Sequence, residues 1–268
     1  MNRYLTALGL TALLLLPMGA SSQELAPEVK AVVEAAREAA RAARQVADRA
    51  RLSEREVLEA AQAGRAAAIR ARQLGPSSRV SLRLAGGVIY EGEVRDGRRQ
   101  GLGVADFPDG NRYEGEWRED QSTGAGIYVL KDGRQYQGQF VANEAHGYGI
   151  FLLSGRHRYQ GQFAHDVAAG IGIYAQPDGQ NYLGEFHNDE ASGHGVYVYA
   201  GGERFEGEVW KNERNGLGIQ YLPGGDRYEG NFKDGRFDGI GARFRRNGSF
   251  EQGTWREGLL VAPREPGT

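Results

Sequence analysis

One phrase, an aromatic residue followed by any residue and then glycine, recurs along this chain every 23 residues. It reads YEGEW from Tyr113, YQGQF from Tyr136 and YLGEF from Tyr182. A second signature, Gly-x-Gly, begins eleven residues after each of these aromatic residues. A fixed period of this length is typical of repeat architectures, in which each unit buries its apolar face against its neighbours. The repeats are therefore predicted to form one continuous array.

The array contains seven full copies and one degraded copy. The full copies begin at Tyr90, Tyr113, Tyr136, Tyr159, Tyr182, Phe205 and Tyr228. The degraded copy keeps Gly253 and Trp255 but has Glu251 at the aromatic position, as a terminal cap does. We expect the array to occupy residues 80–260 and a short tail to follow at 261–268.

Each copy is predicted to be a β-hairpin. Asp-Gly pairs at Asp109, Asp132 and Asp178 lie between alternating residues, which is the strongest short-range hairpin signal. Glycines at regular strand positions leave bare backbone over which an aromatic ring can lie. The predicted fold class is mainly β, an elongated antiparallel meander of 23-residue hairpins preceded by a long helix.

The aromatic residues of the phrase are interpreted as packing residues of the array. They are Tyr90, Tyr113, Trp117, Tyr136, Phe140, Tyr159, Phe163, Tyr182, Phe186, Phe205, Tyr228 and Phe232. If each Asp-Gly pair forms a two-residue turn, Tyr136 shares a face with Ile127 and Val129. A slip of one residue would exchange the two faces.

The opposite face would then carry a second apolar surface. Five residues are predicted to form one column on it, and four more lie beside them. The column is Phe107, Tyr128, Phe151, Tyr174 and Tyr197, and the flanking residues are Leu130, Leu153, Tyr199 and Leu222. Because a thin sheet cannot hide this much apolar area, we expect the surface to dock either a partner or the chain's own helix.

A long helix is predicted at residues 23–75. From Pro27 to Leu74 the chain is rich in Ala, Arg and Glu without an internal proline, and Gly75-Pro76 is a stop signal. Val and Ala recur at heptad spacing, and Ser53 with Glu56 reads as a capping box, so a break near 52–53 is an alternative. A basic stripe lies on another face, at Lys30, Arg37, Arg44, Arg51, Arg65 and Arg72.

Two uses of this helix follow from its length. A helix from Pro27 to Leu74 spans ~72 Å at 1.5 Å per residue, and eight hairpins extend ~77 Å at ~4.8 Å per strand. It can therefore lie along the array, with its Val/Ala seam inward and its basic stripe outward. The alternative is a coiled coil with a second copy of the chain, which would make the protein a homo-oligomer.

The first 22 residues have the layout of a secretory signal peptide. Arg3 precedes an apolar run from Leu5 to Leu16, and we expect cleavage at Ala20-Ser21-Ser22. The run is shorter than the ~20 residues that span a bilayer, although an uncleaved anchor is the alternative. We expect an exported protein, periplasmic or secreted into the cell envelope.

Tyr-x-Gly-x-Phe/Trp with Gly-x-Gly at this period resembles the MORN repeat (membrane occupation and recognition nexus). The resemblance runs from Tyr90 to about Trp255, with Phe205 in place of tyrosine and Arg156 in place of a turn glycine. It implies a twisted, elongated sheet that acts as a binding or scaffolding module. Members of the family accompany membranes, signalling enzymes or a methyltransferase domain. The repeats here run almost to Thr268, so catalysis is not expected.

No catalytic, cofactor or metal site is predicted. The histidines lack the spacing of metal ligands, and Gly-x-Gly is not followed by a helix as in a phosphate-binding loop. The chain has no cysteine, which excludes disulfide and thiol chemistry. Glutamates beside the glycines, such as Glu91, Glu114 and Glu206, are interpreted as a solvated edge. The histidines are His146, His157, His165, His187 and His194.

Charge separates the classes of partner. The net charge of −2 gives no general attraction to nucleic acid. From Gly75 to Thr268, 22 Lys and Arg stand against 27 Asp and Glu, a net of −5, which is the wrong sign for an anionic membrane. We therefore expect a non-catalytic scaffold that binds a protein partner. Binding to a phospholipid surface is the alternative, and glycan binding through the rings is a third.

Overall fold

The computed structural model describes residues 25–265. The predicted signal peptide at 1–22 and the last three residues of the tail lie outside the described residues. Two helices, α1 (Pro27–Leu52) and α2 (Glu54–Arg72), come first and are followed by a sheet of 17 strands. Ser53 separates the helices, and its hydroxyl donates a hydrogen bond back to the Ala50 carbonyl at 2.9 Å rather than capping α2.

The strands form an antiparallel meander in which each strand pairs with the next one along the chain. The predicted fold class is confirmed. The strands are β1 (Val80–Arg83), β2 (Ile89–Arg95), β3 (Arg98–Asp106), β4 (Arg112–Arg118), β5 (Gln121–Val129), β6 (Gln135–Val141), β7 (Glu144–Leu152), β8 (Arg158–Ala164), β9 (Val167–Ala175), β10 (Asn181–His187), β11 (Glu190–Val198), β12 (Arg204–Trp210), β13 (Glu213–Tyr221), β14 (Arg227–Lys233), β15 (Arg236–Phe244), β16 (Phe250–Arg256) and β17 (Leu259–Pro263).

Two kinds of turn alternate along the meander. Between β5 and β6, the Leu130 N–H donates to the Arg134 carbonyl at 2.8 Å, and Gly133 has a φ of 88°. This connection is a three-residue loop that ends in a left-handed glycine. Between β4 and β5, Glu119 and Asp120 have φ of 48° and 66°, the conformation of a two-residue type I′ turn. The Asp-Gly pair at 132–133 therefore forms the longer loop, not the two-residue turn that was predicted.

The odd length of this loop shifts the register by one residue and exchanges the predicted faces. Tyr136 pairs with Tyr128 on one side and with Phe151 on the other, so the three side chains share a face. Ile127 and Val129 lie on the opposite face. The prediction that they share a face with Tyr136 is wrong.

The aromatic residues of the repeat phrase form a ladder on one face of the sheet. The Tyr136 ring meets Phe140 edge to face at 5.0 Å and Phe163 of the next repeat at 4.8 Å. The same ring covers bare backbone, because a Cβ added at Gly149 would lie 2.4 Å from it. All of the aromatic residues interpreted as packing residues are buried, namely Tyr90, Tyr113, Trp117, Tyr136, Phe140, Tyr159, Phe163, Tyr182, Phe186, Phe205, Tyr228 and Phe232.

The two helices cover the other face of the sheet. α1 lies over β9 to β15 and α2 over β3 to β8, so the helices run back along the array from its last repeats to its first. The heptad seam faces inward, with Val29 fully buried and Val57 nearly so. At Gly64 the approach is so close that an added Cβ would lie 2.4 Å from the Gly126 carbonyl oxygen.

The basic stripe of the helices also contacts the sheet. Arg37 Nε lies 2.6 Å from Glu229 Oε2, and Arg72 Nη1 lies 2.6 Å from Glu114 Oε2. Both glutamates are buried. The predicted outward stripe is therefore wrong here, and these glutamates are not a solvated edge, because they lie on the face that the helices cover. Equivalent contacts join Arg44 to Glu206 and Arg65 to Gln137.

Candidate functional site

The face that the helices leave uncovered carries a groove of about 790 Å³ between β3 and β10. We call it the aromatic groove. Its floor includes the buried rings of Tyr113, Tyr136 and Tyr159, and the half-buried rings of Tyr128 and Tyr174 stand among them. Neighbouring strands place these rings side by side across the sheet. The groove therefore crosses the strands and follows the axis of the array.

Most of the predicted docking residues line this groove. The residues in its lining are Phe107, Tyr128, Leu130, Phe151, Leu153 and Tyr174. Phe107 lies 23 residues before Leu130, so it belongs to the flanking position and not to the column of Tyr128 where it was predicted. Beyond the groove, Tyr197 and Tyr199 stack with ring centroids 5.8 Å apart, and Leu222 lies farther along the array. All nine residues are half-buried, and the helices pack on the opposite face instead of on them.

Hydrogen bonds hold the floor rings in place. The Tyr136 hydroxyl donates to the Gln139 carbonyl at 2.9 Å, and the Tyr159 hydroxyl donates to the Gln162 carbonyl at 2.8 Å. Burial raises the pKa of both phenols well above the ordinary value. These hydroxyls are thus neutral and already engaged, so the floor supplies apolar contact rather than reactive groups.

One rim of the groove is built from the second residue of each type I′ turn. The Asp166 carboxylate accepts a hydrogen bond from the Ala145 N–H at 2.7 Å, and the Asp189 carboxylate accepts one from the Ala168 N–H at 2.7 Å. Asn143 occupies the same position in its repeat and caps the Ser122 N–H at 2.8 Å. The rim residues therefore link successive repeats by hydrogen bonds and also form a row of exposed polar groups.

The charges around the groove are unevenly matched. Arg99 Nε lies 3.3 Å from Asp120 Oδ1, and Arg134 Nε lies 2.8 Å from Asp132 Oδ2. By contrast, within residues 25–265 neither Asp166 nor Asp189 forms an ion pair with a basic side chain. Both basic residues of the lining are thus engaged by nearby aspartates, and the rim keeps an excess of negative charge.

The sequence prediction missed this rim. The turn residues at Asp120, Asn143, Asp166, Asp189 and Asn212 recur at the same period of 23 as the aromatic phrase. That period is the signal in the sequence that marks the rim. The Asp-Gly pairs mark the opposite ends of the strands.

A further set of hydrogen bonds supports the strands that carry the floor. In each full repeat but one, the side chain after the phrase glycine accepts a hydrogen bond from a strand N–H at a β-bulge. Gln139 accepts from the Tyr148 N–H at 2.8 Å, and Glu208 accepts from the Leu217 N–H at 2.7 Å. These residues keep the bulged strands in register beneath the rings.

The groove is lined mainly by aromatic rings. Leucine and alanine side chains, hydroxyls, carboxylates and two guanidinium groups complete the lining. His157 lies at its edge, with Nδ1 2.8 Å from the Tyr174 hydroxyl oxygen. Across residues 25–265 there is no group of three side chains placed to hold a metal ion. Nor does any helix in that part of the chain have the length and apolar character to cross a membrane.

Comparison with known protein families matches the sequence to the MORN repeat seven times. The matched segments are residues 90–112, 113–133, 136–155, 159–180, 182–204, 205–227 and 228–250. The chain belongs to the MORN-repeat family. The matches begin at the aromatic residues identified above and extend across the strands from β2 to β15. Helices α1 and α2 lie before the first MORN repeat.

The solved structures that match this MORN-repeat chain are only distantly similar to it. The Drosophila melanogaster SAS-4 TCP domain, in complex with a proline-rich motif of Ana2, has a TM-score of 0.36 and 11% identity over 66% of this chain and 90% of that chain. The Danio rerio CPAP TCP10 domain, with a STIL peptide, has a TM-score of 0.30 and 12% identity over 68% and 81%. Likeness this low carries no conclusion about ligand or function. No protein of curated function matches the sequence.

Proposed function

We propose that this MORN-repeat chain is a non-catalytic scaffold whose aromatic groove binds a peptide segment of a protein partner. The observation that carries the proposal is the contrast between the two apolar faces of one sheet. The chain covers one face with α1 and α2, whereas the other face keeps half-buried rings in an open groove. Exposed apolar surface of this kind, with a polar rim, marks interaction sites.

The shape of the groove favours an extended peptide. It reaches from β3 to β10, and seven inter-strand steps of ~4.8 Å give a length of ~34 Å. The backbone groups of its floor are already paired between neighbouring strands. A ligand in the groove must therefore bind through side-chain contacts, for which rings such as Phe151 and Tyr174 are suitable anchors.

We further propose that the protein acts outside the cytoplasm. The support is the layout of residues 1–22, with Arg3, the apolar run and the small residues around Ala20. Mass spectrometry of the protein recovered from the producing cells tests this directly. A mature chain that begins near Gln23 supports export, and an intact Met1 on cytoplasmic protein contradicts it.

Selection from a random twelve-residue peptide library on immobilised residues 23–268 tests the groove. We expect enriched peptides whose binding is lost in Phe151→Ser and Tyr174→Ser. The control is Trp210→Ser, since Trp210 is 56% exposed and strand alternation places it on the opposite face. Circular dichroism shows whether each variant is folded.

Two results would contradict the proposal. One is a set of enriched peptides that bind the groove variants as well as the wild type. The other is flotation of the same protein with anionic vesicles at physiological salt, without any groove-dependent peptide, which would favour the phospholipid surface instead.

A further inference from the structure

The rings of the aromatic groove recur once per repeat. Tyr128, Phe151 and Tyr174 occupy the same position of successive repeats, on β5, β7 and β9. Because strands lie ~4.8 Å apart, equivalent positions are ~9.6 Å apart along the groove. A polyproline II helix has three residues per turn and a rise of ~3.1 Å, so that one turn advances ~9.3 Å. Such a ligand stays in phase with the rings, because the mismatch over three repeats is only about 1 Å.

We propose that the occupant of the groove is a proline-rich segment in the polyproline II conformation with a basic residue at every third position. This inference rests on the proposed function and names the chemistry of the partner. A length of ~34 Å corresponds to about eleven residues of polyproline II.

Hydrogen bonding favours this conformation over a β-strand. A strand ligand needs free backbone groups on its receptor, and within the described residues the sheet has open edges only at β1 and β17. A polyproline II ligand has free carbonyl groups, and its prolines have no N–H to satisfy. The hydroxyl of Tyr128 in the groove lining is a donor of the kind that these carbonyls accept, whereas the Tyr174 hydroxyl already contacts His157 Nδ1.

The opposite face shows what an α-helix requires of this sheet. There the helices approach through alanines and through Gly64, which lies against the bare backbone of Gly126. The aromatic groove has no such flat strip, because the rings of Tyr128, Phe151 and Tyr174 stand in it. A thin ligand that passes between rings fits this surface better than a helix ~10 Å wide.

Charge complementarity assigns the basic residues of the ligand. Asp166 and Asp189 lie at the exposed rim, one repeat apart, and neither pairs with a basic side chain of the described chain. Residues three apart in a polyproline II segment point the same way and are separated by the same ~9.3 Å. Since exposed ion pairs are weak, they select a basic ligand over an acidic one while the rings provide most of the affinity.

Fluorescence anisotropy with labelled synthetic peptides tests the inference on residues 23–268. The probe is a twelve-residue peptide of four Pro-Pro-Arg triplets. Four Gly-Ser-Arg triplets give the same charge without the conformation, and four Pro-Pro-Glu triplets give the conformation with the opposite charge. We expect the Pro-Pro-Arg peptide to bind at least about tenfold more tightly than either control, and Phe151→Ser to lose that advantage.

Matched variants test the predicted pairing of Asp166 and Asp189 with basic residues of the ligand. Asp166→Asn and Asp189→Asn keep the structural cap, because Asn143 and Asn212 already fill that role. Each is expected to weaken the Pro-Pro-Arg peptide roughly threefold and to strengthen the Pro-Pro-Glu peptide. Asp48→Asn, an exposed carboxylate on α1, is expected to change neither affinity.

The inference would be overturned if the Gly-Ser-Arg peptide bound as tightly as the Pro-Pro-Arg peptide. It would also be overturned if Phe151→Ser left the affinity for the Pro-Pro-Arg peptide unchanged. If the peptide library yields groove-dependent sequences without a three-residue proline period, the inference fails and the proposed function stands. If no library peptide depends on the groove, both fail.

Discussion

The two faces of the sheet differ in how completely the chain pairs their charged groups and buries their apolar side chains. Under the helices, Glu206 is only 1% exposed, and Arg44 and Arg204 both pair with it. On the other face, Asp166 and Asp189 have no basic partner within the described residues, and the standing rings are half-buried. The comparison teaches that the chain covers one face with its own helices and leaves the other face open.

On the covered face, the arginines of the helices meet their partners on the sheet because two periods have similar lengths. A heptad of α-helix rises ~10.5 Å, and a repeat of two strands advances ~9.6 Å. Arg37 and Arg44 are one heptad apart, and their partners Glu229 and Glu206 are one repeat apart. The same step recurs in α2, where Arg65 contacts Gln137 and Arg72 contacts Glu114. Each heptad of the helix therefore contacts one MORN repeat.

Removal of the helices is the most severe way to break the contrast. A chain of residues 76–268 exposes the column of Ile127, Ile150 and Ile173 together with the buried glutamates. We expect a large fall in the melting temperature and a strong increase in binding of a hydrophobic dye. Unchanged stability and dye binding would show that the helices do not complete this face.

Removal of one buried carboxylate has the next largest effect. Glu206→Ala leaves Arg44 and Arg204 without their acid, and we expect unfolding free energy to fall by about 3 kcal/mol, measured by urea denaturation. The matched control is Glu38→Ala on the exposed side of α1, where we expect a change within about 0.5 kcal/mol. A loss at Glu206 no larger than at Glu38 would contradict the assigned role.

The close approach of α2 is tested at Gly64. Alanine is the better helix former, by about 1 kcal/mol, but its Cβ would lie 2.4 Å from the Gly126 carbonyl oxygen. We expect Gly64→Ala to destabilise the protein by roughly 1–3 kcal/mol because the backbone must shift. The control Ala63→Gly, at an exposed position of the same helix, should lose only about 1 kcal/mol. Stabilisation by Gly64→Ala would show that the helix is not seated this closely.

The groove rim should show the smallest effect on stability. Asp166→Asn and Asp189→Asn preserve the hydrogen bonds to the Ala145 and Ala168 N–H groups, so we expect changes within about 0.5 kcal/mol by urea denaturation. The same chemical change beneath the helices, Glu206→Gln, should cost clearly more. Equal losses at the two faces would remove the contrast between a satisfied face and an open one.

The sequence predicted the repeated elements better than their register. The period of the aromatic phrase is enough to place the hairpins, because each strand pair repeats the same spacing. It could not choose the length of the loop at Asp132-Gly133, since the same dipeptide fits both a two-residue turn and a three-residue loop. The one-residue difference in loop length decides whether Tyr136 shares a face of the sheet with Ile127 or with Tyr128.

The charge pattern is a second feature that the sequence misplaces. A basic stripe opposite an alanine seam usually lies in solvent, which predicts exposed Arg37 and Arg44. Their partners, Glu229 and Glu206, appear in the sequence only as polar residues within the phrase. Nothing local indicates that a helix covers the face they share. Six of the nine docking residues named from the sequence line the aromatic groove, and α1 and α2 lie on the opposite face.

Site-specific photo-crosslinking tests the central claim most directly. A benzophenone side chain replaces either Phe151 in the groove or Val141, which is 53% exposed and lies by strand alternation on the helix-covered face. Each variant of residues 23–268 is illuminated with the same biotinylated library of random twelve-residue peptides. We predict biotin incorporation several-fold above background at position 151 and only background incorporation at position 141. Equal incorporation at the two positions, or more at 141, would contradict the claim that the groove is the face open to a partner.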